Sequence, residues 1–236
     1  MKKEGARKIV SRIKPSLSES QKKRRIDFIC DQVDEVTGNF LDQFNVIHLD
    51  ESWFFLLEDK EKIRVFPGED IPGSPRVEHK SYVPKMMIIV ANVRPDPTHN
   101  FDGKIGIWRI CVMKTAQRSS KRKEGDEYEF DCSIDAEWYK DWYIEKLLPA
   151  IKTKMPWLRS RRAVVQQDGV TPHTGKDNPE ILNSAGMGRG WLVELKTQPS
   201  QSLDLNVNDL GFFASLKSMG VEGECQFGRR VGAECL

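Results

Sequence analysis

Three aspartates stand where the chain changes character. Asp50 follows the apolar run VIHL, Asp168 follows AVVQQ, and Asp209 follows DLNVN at the start of the last helical pattern. Carboxylates at element ends can converge on one edge of a sheet, and grouped carboxylates are oxygen donors of the kind that hard divalent cations take. Each acid also has a plainer reading. Asp204 or Asn206 suits the N-cap of the final helix, and Asp209 in its first turn would complement the helix dipole. His173 follows Asp168 five positions on, so an acid–base pair acting on a small molecule is another reading. Against it, the chain has no glycine-rich phosphate loop of the GxGxxG or GxxxxGK type.

The elements that must position these acids follow from periodicity. A helix is expected over 20–36, with Ile26, Phe28, Ile29 and Val33 as a partial apolar face. FNVIHLDESWFFLLED is strand-like, meets Asp50 and resumes as SWFFLL. RVFPGEDIPGSPRV reads as a loop, KMMIIVANVR and KIGIWRICV as buried strands, and 115–135 as a long polar loop. DAEWYKDWYIEKLLPAIKTK has helical spacing, with Trp138, Trp142, Ile144, Leu147, Leu148 and Ile151 as a core stripe. AVVQQD and WLVELK are strands, 175–190 a weak helix, and the last helix carries Leu210, Phe213 and Leu216 on one side. Trp53 is expected in the core, and Glu51 on the face opposite Asp50, because strand side chains alternate. The order predicts a mixed α/β architecture. There is no internal repeat.

The chain has 236 residues and a net charge of only +2, but the charge is unevenly spread. Residues 1–25 hold ten Lys or Arg against two Glu. Further basic clusters run over Lys114–Lys123 and Lys152–Arg162. Such patches attract phosphate backbones, although solvated surface charge is as common a reading of any one of them. The five cysteines contain no CxxC pair, so neither a disulfide framework nor a zinc site is expected, and a reducing compartment fits. No apolar run approaches the ~18 residues of a membrane span, and no secretory signal is visible. QKKRR at 21–25 is the type of run that serves as a nuclear address.

The strings around the three acids then carry a resemblance. HLDESWFF, QQDGVTPH and QPSQSLDLNVNDLGFF occur in that order. Together they resemble the catalytic core of mariner-type DDE/DDD transposases in their plant and oomycete style, whose strings run approximately H-x-D-E-K-W-F, Q-Q-D-N-A-x-P-H and S-P-D-L-N-P-x-D-L-G-F-F. The likeness extends from about residue 14 to Lys217. It implies an RNase H-like α/β fold with a mixed central sheet flanked by helices. It implies Asp50, Asp168 and Asp209 as the catalytic, metal-binding triad for two Mg²⁺ or Mn²⁺ ions, with Glu51 and His173 beside the site or near DNA. DNA is the implied partner, the nucleus the implied compartment, and a homodimer a candidate assembly; no membrane and no small organic cofactor are expected. Lys114, Arg118, Lys121, Arg122, Lys123, Arg159, Arg161 and Arg162 are the expected backbone contacts. The chemistry is coherent: crowded aspartates repel and hold protons unless cations neutralise them, and two cations can stabilise both oxygens of an in-line phosphodiester displacement.

The pattern also departs from the family. Gly169 stands in place of its Asn, Ser52 of its Lys, and Leu203 and Val207 of two prolines. The expected organisation is a basic linker and helix over 1–38, left from a DNA-binding region whose helix-turn-helix is not recognisable, a catalytic domain over 39–218, and a divergent tail over 219–236. The expected function is a truncated mariner-like transposase endonuclease. The alternative is a catalytically dead DNA-binding or interaction protein of the same descent.

Overall fold

The computed structural model describes residues 16–55, 85–117, 123–169 and 178–222. Strand β1 (Val46–Phe55) is the central organiser. Its antiparallel neighbour is β2 (Lys85–Asn92), which in turn pairs with β3 (Lys104–Arg109). On its other side β1 meets β6 (Arg162–Gln167) in parallel, β6 meets β8 (Trp191–Thr197) in parallel, and the two-residue β7 (Met187–Gly188) closes the edge. The sheet order is therefore β3-β2-β1-β6-β8-β7.

Alternation along these strands builds two cores. Ile47, Leu49, Ile89, Ala91, Ala163, Val165 and Val193 point to one face. There they meet Tyr139 and Trp142 of α2 (Ala136–Trp142), Leu148 and Ile151 of α3 (Leu148–Lys154), and Leu182 of α4 (Asn178–Gly186). Met86, Ile88 and Val90 point to the other face and pack on Phe213 and Leu216 of α5 (Phe213–Glu222). The sheet is thus covered on both sides, as a mixed sheet with a parallel half requires.

The helical stripe over 135–154 is one continuous run with a π-turn at Tyr143–Leu147. Pro149 explains it: with no N–H to offer the preceding turn, it breaks the regular bonding there. Tyr139 and Tyr143 are fully buried, whereas Ile144 is 36% exposed, so the stripe is rotated from the expected one. KIGIWRICV does not form one strand. The chain leaves the sheet at Ile110, and β4 (Cys111–Thr115) pairs with β5 (Glu127–Asp131) in a separate hairpin. β5 lies within the segment expected to be a loop. Its acidic residues hid the strand pattern, and Arg109 stabilises it by bonding Glu129 at 2.8 Å and Asp131 at 2.9 Å.

Helix α1 (Glu19–Cys30) starts with a capping box between Ser18 and Gln21. It docks through buried Phe28, beneath the Lys196 ammonium, and through Arg25, which bonds Asp204 at 2.5 Å and the Gln201 carbonyl at 2.6 Å. Trp53 is 40% exposed, with Lys85 4.2 Å from its ring, so it lies outside the core where it was expected. The loop expected over 64–77 lies outside the described residues, as do His173, Arg118, Lys121 and Arg122.

Candidate active site

Asp50 does not end its strand. It sits mid-way along β1, opposite Val90 of β2. The parallel ladder to β6, however, stops at His48 opposite Gln166. Two residues further along each strand come Asp50 and Asp168. Beyond the last ladder pair the two strands separate, and such a crevice at the carboxyl ends of neighbouring strands is where α/β sheets bind ligands.

Alternation puts His48, Asp50 and Ser52 on the α5 face, with Gln166 and Asp168 of the neighbouring strand. Glu51 points the other way, as expected; its charge, with that of Asp168, acts on the buried Tyr139 hydroxyl of α2. Gln167 accepts a short hydrogen bond from that hydroxyl, which fixes the end of β6 and with it the direction of Asp168.

Asp209 arrives from the last helical segment. Its turn, Asn208–Phe212, is a π-turn that runs into α5. The fully buried Asn208 ties it to the sheet, accepting from Asn92 at 2.8 Å and donating to the His48 carbonyl at 3.4 Å. Asn206, 5% exposed, donates its amide to Asp50 Oδ2 at 2.7 Å and to Asp209 Oδ2 at 3.3 Å. The two carboxylate oxygens therefore lie within about 6 Å of each other.

The electrostatics follow from this crowding. Burial, then the charges of Asp209 and Glu51, push the Asp50 carboxyl up to about 7 against hydrogen bonds from Asn206 and the Glu51 N–H. Burial and the charge of Asp168 also raise the Asp209 carboxyl, while Lys217 opposes the shift. The three acids thus form one electrostatic group. Lys217 reaches across from α5 to bond Ser52 Oγ at 3.0 Å. Burial lowers the His48 imidazole to about 4, so it is neutral at pH 7.

The donor set fits a hard divalent cation in type: carboxylates, a polar crevice, and one acid, Asp50, pushed up to about 7 by burial and by neighbouring negative charge. Among the described residues no three acidic, His or Cys side chains converge on a coordinating point. Gly169 beside Asp168 has room for a side chain, the nearest atom to an added Cβ being Thr197 Cγ2 at 3.4 Å.

Solved structures that resemble this chain include complexes of the Mos1 transposase. The Mos1 mariner paired-end complex with Mn matches at TM-score 0.59 and 20% identity, over 92% of this chain and 54% of that one. The Mos1 strand transfer complex matches at 0.58 and 19%, over 92% and 53%. The Mos1 catalytic domain with Raltegravir and Mg matches at 0.54 and 18%, over 93% and 83%. The chain has the fold of the Mos1 transposase catalytic domain. This is the RNase H-like α/β fold expected above, and the chain spans about half the length of the Mos1 chains in the paired-end complexes. No protein-family model and no curated protein matches it.

On that fold Asp50, Asp168 and Asp209, the acids named from the sequence, lie near one another, and the sequence reasoning passed over Asn206, Asn208, His48 and Lys217 as their neighbours. His48 and Asn206 lie inside the motif strings and were open to notice; Lys217 is met only through tertiary contact. Leu210, expected on one side of the helix with Phe213 and Leu216, is 66% exposed and lies in the π-turn, whose wider winding breaks the 3.6-residue spacing that reading assumed. Asp204 is held by Arg25 and takes no part in the acidic group.

The expected DNA contacts scatter. Lys114 lies over the Phe130 ring at 3.6 Å on the β4–β5 hairpin, and Lys123 stands near the hairpin's turn. Arg159 donates to the Arg189 carbonyl, and Arg162 pairs with Glu194 at 2.6 Å. Arg161 lines an open groove with Asn45, His99, Trp157 and Lys196. That groove has mixed charge and does not include the three acids, so the carboxylate crevice is the better candidate for chemistry.

Proposed function

We propose that this chain is the catalytic domain of a mariner-type transposase, a metal-dependent endonuclease that cuts DNA and joins the freed 3′ end to a target strand. The observation that carries the reading is the grouping of Asp50, Asp168 and Asp209 on one face of an RNase H-like sheet, each inside a string that resembles that family. The transposon end and the Mn or Mg in the names of the Mos1 complexes support DNA as partner and a divalent cation as cofactor. QKKRR supports the nucleus as compartment.

Asp50, Asp168 and Asp209 would hold two Mg²⁺ or Mn²⁺ ions, which supply charge for the attacking and leaving oxygens of a phosphodiester displacement. The chain's own contributions follow from its geometry. The buried strand fixes Asp50, the solvent-facing turn presents Asp209, and Lys217 brings positive charge beside them. Asp50 must give up its proton for the site to load, so loading is favoured above pH 7. Water serves as nucleophile in cleavage and a DNA 3′-hydroxyl in joining, so no covalent protein intermediate is needed.

The test is nicking of supercoiled DNA in Mn²⁺. Asp168→Ala is expected to abolish it; full metal-dependent cleavage by that variant overturns the assignment. A second reading is a DNA-binding protein without catalysis; it is favoured by the lack, among the described residues, of three acidic, His or Cys side chains grouped on one point. Thermal melting separates the two. Mn²⁺ should raise the melting temperature of the parent and not of an Asp50→Asn/Asp168→Asn protein, whereas the second reading predicts no rise in either.

A further inference from the structure

Asn206 has every polar atom of its side chain committed. Its Oδ1 accepts the backbone N–H of Asn208 at 3.0 Å, which fixes which end of the amide faces the acids. Its two amide protons are then spent on Asp50 Oδ2 and Asp209 Oδ2. The segment that carries it is anchored on both sides. The Leu205 carbonyl accepts from Gln166 of β6 at 3.0 Å and from Gln198 at 2.9 Å. Asn208 is bonded to β1 and β2. This is a run of carboxamides in which the Asn206 NH₂ group is placed between two carboxylates from different elements.

We propose that Asn206 is the positioning residue of the acidic site: its amide spans Asp50 and Asp209 and holds the helix-borne carboxylate against the strand-borne one before any cation arrives. The inference rests on reading the three aspartates as a cation site and adds how that site is kept assembled while empty of charge. Two like charges on separate elements repel, and a group that donates to both ties them. An amide does this without supplying charge, so the pair keeps its demand for a cation. The orientation cost of loading is lowered because the two ligands already face each other.

The test uses the full 236-residue chain at pH 8 with two variants, Asn206→Ala and Asn206→Asp. Mn²⁺ affinity is read from the signal of the free ion, and melting is followed in chelator. Asn206→Ala is expected to weaken Mn²⁺ binding roughly 10- to 100-fold. Asn206→Asp keeps the acceptor for the Asn208 N–H but replaces the donor with charge. In chelator it should melt lower than the parent by on the order of 5 °C, with the loss recovered in Mn²⁺. A merely structural asparagine would lower the melting of Asn206→Ala while leaving Mn²⁺ affinity unchanged, and that result overturns the proposal. If the parent takes up no Mn²⁺, the cation reading of the site falls, and the chelated melts decide alone. Asn206→Asp equal to the parent then overturns the clamp as well, and Asn206→Asp melting lower upholds it as a clamp on an acid pair.

Discussion

At the scale of the residue, Asp50 and His48 share one face of β1, and burial disfavours the charged form of each. Asp50 is shifted from 3.8 up to about 7, and His48 from 6.5 down to about 4. The signs oppose. An acid with a raised folded value leaves stability intact below about pH 4 and erodes it as pH rises toward 7, because the unfolded chain ionises first. A histidine with a lowered folded value erodes stability as pH falls from 6.5 toward 4, because the unfolded chain takes the proton first. The metal-free protein should therefore show a shallow profile over pH 4–6.5. Asp50→Asn removes one slope and leaves the other. It should be more stable than the parent at pH 8 by about 2–4 kcal/mol, with the advantage shrinking as pH falls to 4. Urea melts at several pH values check both parts.

At the scale of the element, the turn into the last helix decides where Asp209 points. Val207 replaces a proline of the resembling family, yet its backbone, at φ −59° and ψ −35°, is one that proline adopts, and Asn206 before it is extended at φ −102° and ψ 108°. Val207→Pro should therefore fit and stabilise the chain by about 0.5–1 kcal/mol, through a less flexible unfolded state. A chemical denaturation midpoint that falls would contradict this. Helix α1 is the opposite case, an element whose own apolar face is thin. It is held by Phe28 and by the Arg25–Asp204 pair. Phe28→Ala should cost about 3 kcal/mol and leave the helix protease-sensitive; equal proteolysis of variant and parent would show that α1 does not depend on this contact.

At the scale of the whole molecule, the arginine cluster and Asp168 lie at opposite ends of one strand. Arg159 and Arg161 precede β6, Arg162 opens it and Asp168 follows it, roughly 20 Å from Arg162 at ~3.3 Å per residue. DNA that touches both must run along the sheet for about six base pairs at ~3.4 Å per step. Duplex binding should weaken as salt rises, and an Arg159→Ala/Arg161→Ala protein should lose about one to two from the salt slope while keeping its Mn²⁺ affinity. Arg162 should contribute less, since Glu194 already claims it. A salt-independent affinity would remove the electrostatic basis for DNA binding.

The sequence by itself determined the two faces of each strand, since alternation is a local property: it placed Asp50 and Glu51 on opposite sides and brought β6 to its end beside Asp168. It also determined the helical run over 135–154 and, through motif strings, which acids to watch. Only the tertiary structure decided that Asp50 is mid-strand, that β1 and β6 are parallel neighbours whose ladder stops two residues short of both acids, and that Asn206 lies between Asp50 and Asp209. It likewise decided that β5 exists, that Trp53 and Leu210 face outward, and that His48 is buried. The reason is physical. Periodicity records the environment of one element, whereas register, separation and hydrogen bonding between Asn206 and Asp50 are set by which elements share a face, and that is fixed only when the whole core is packed.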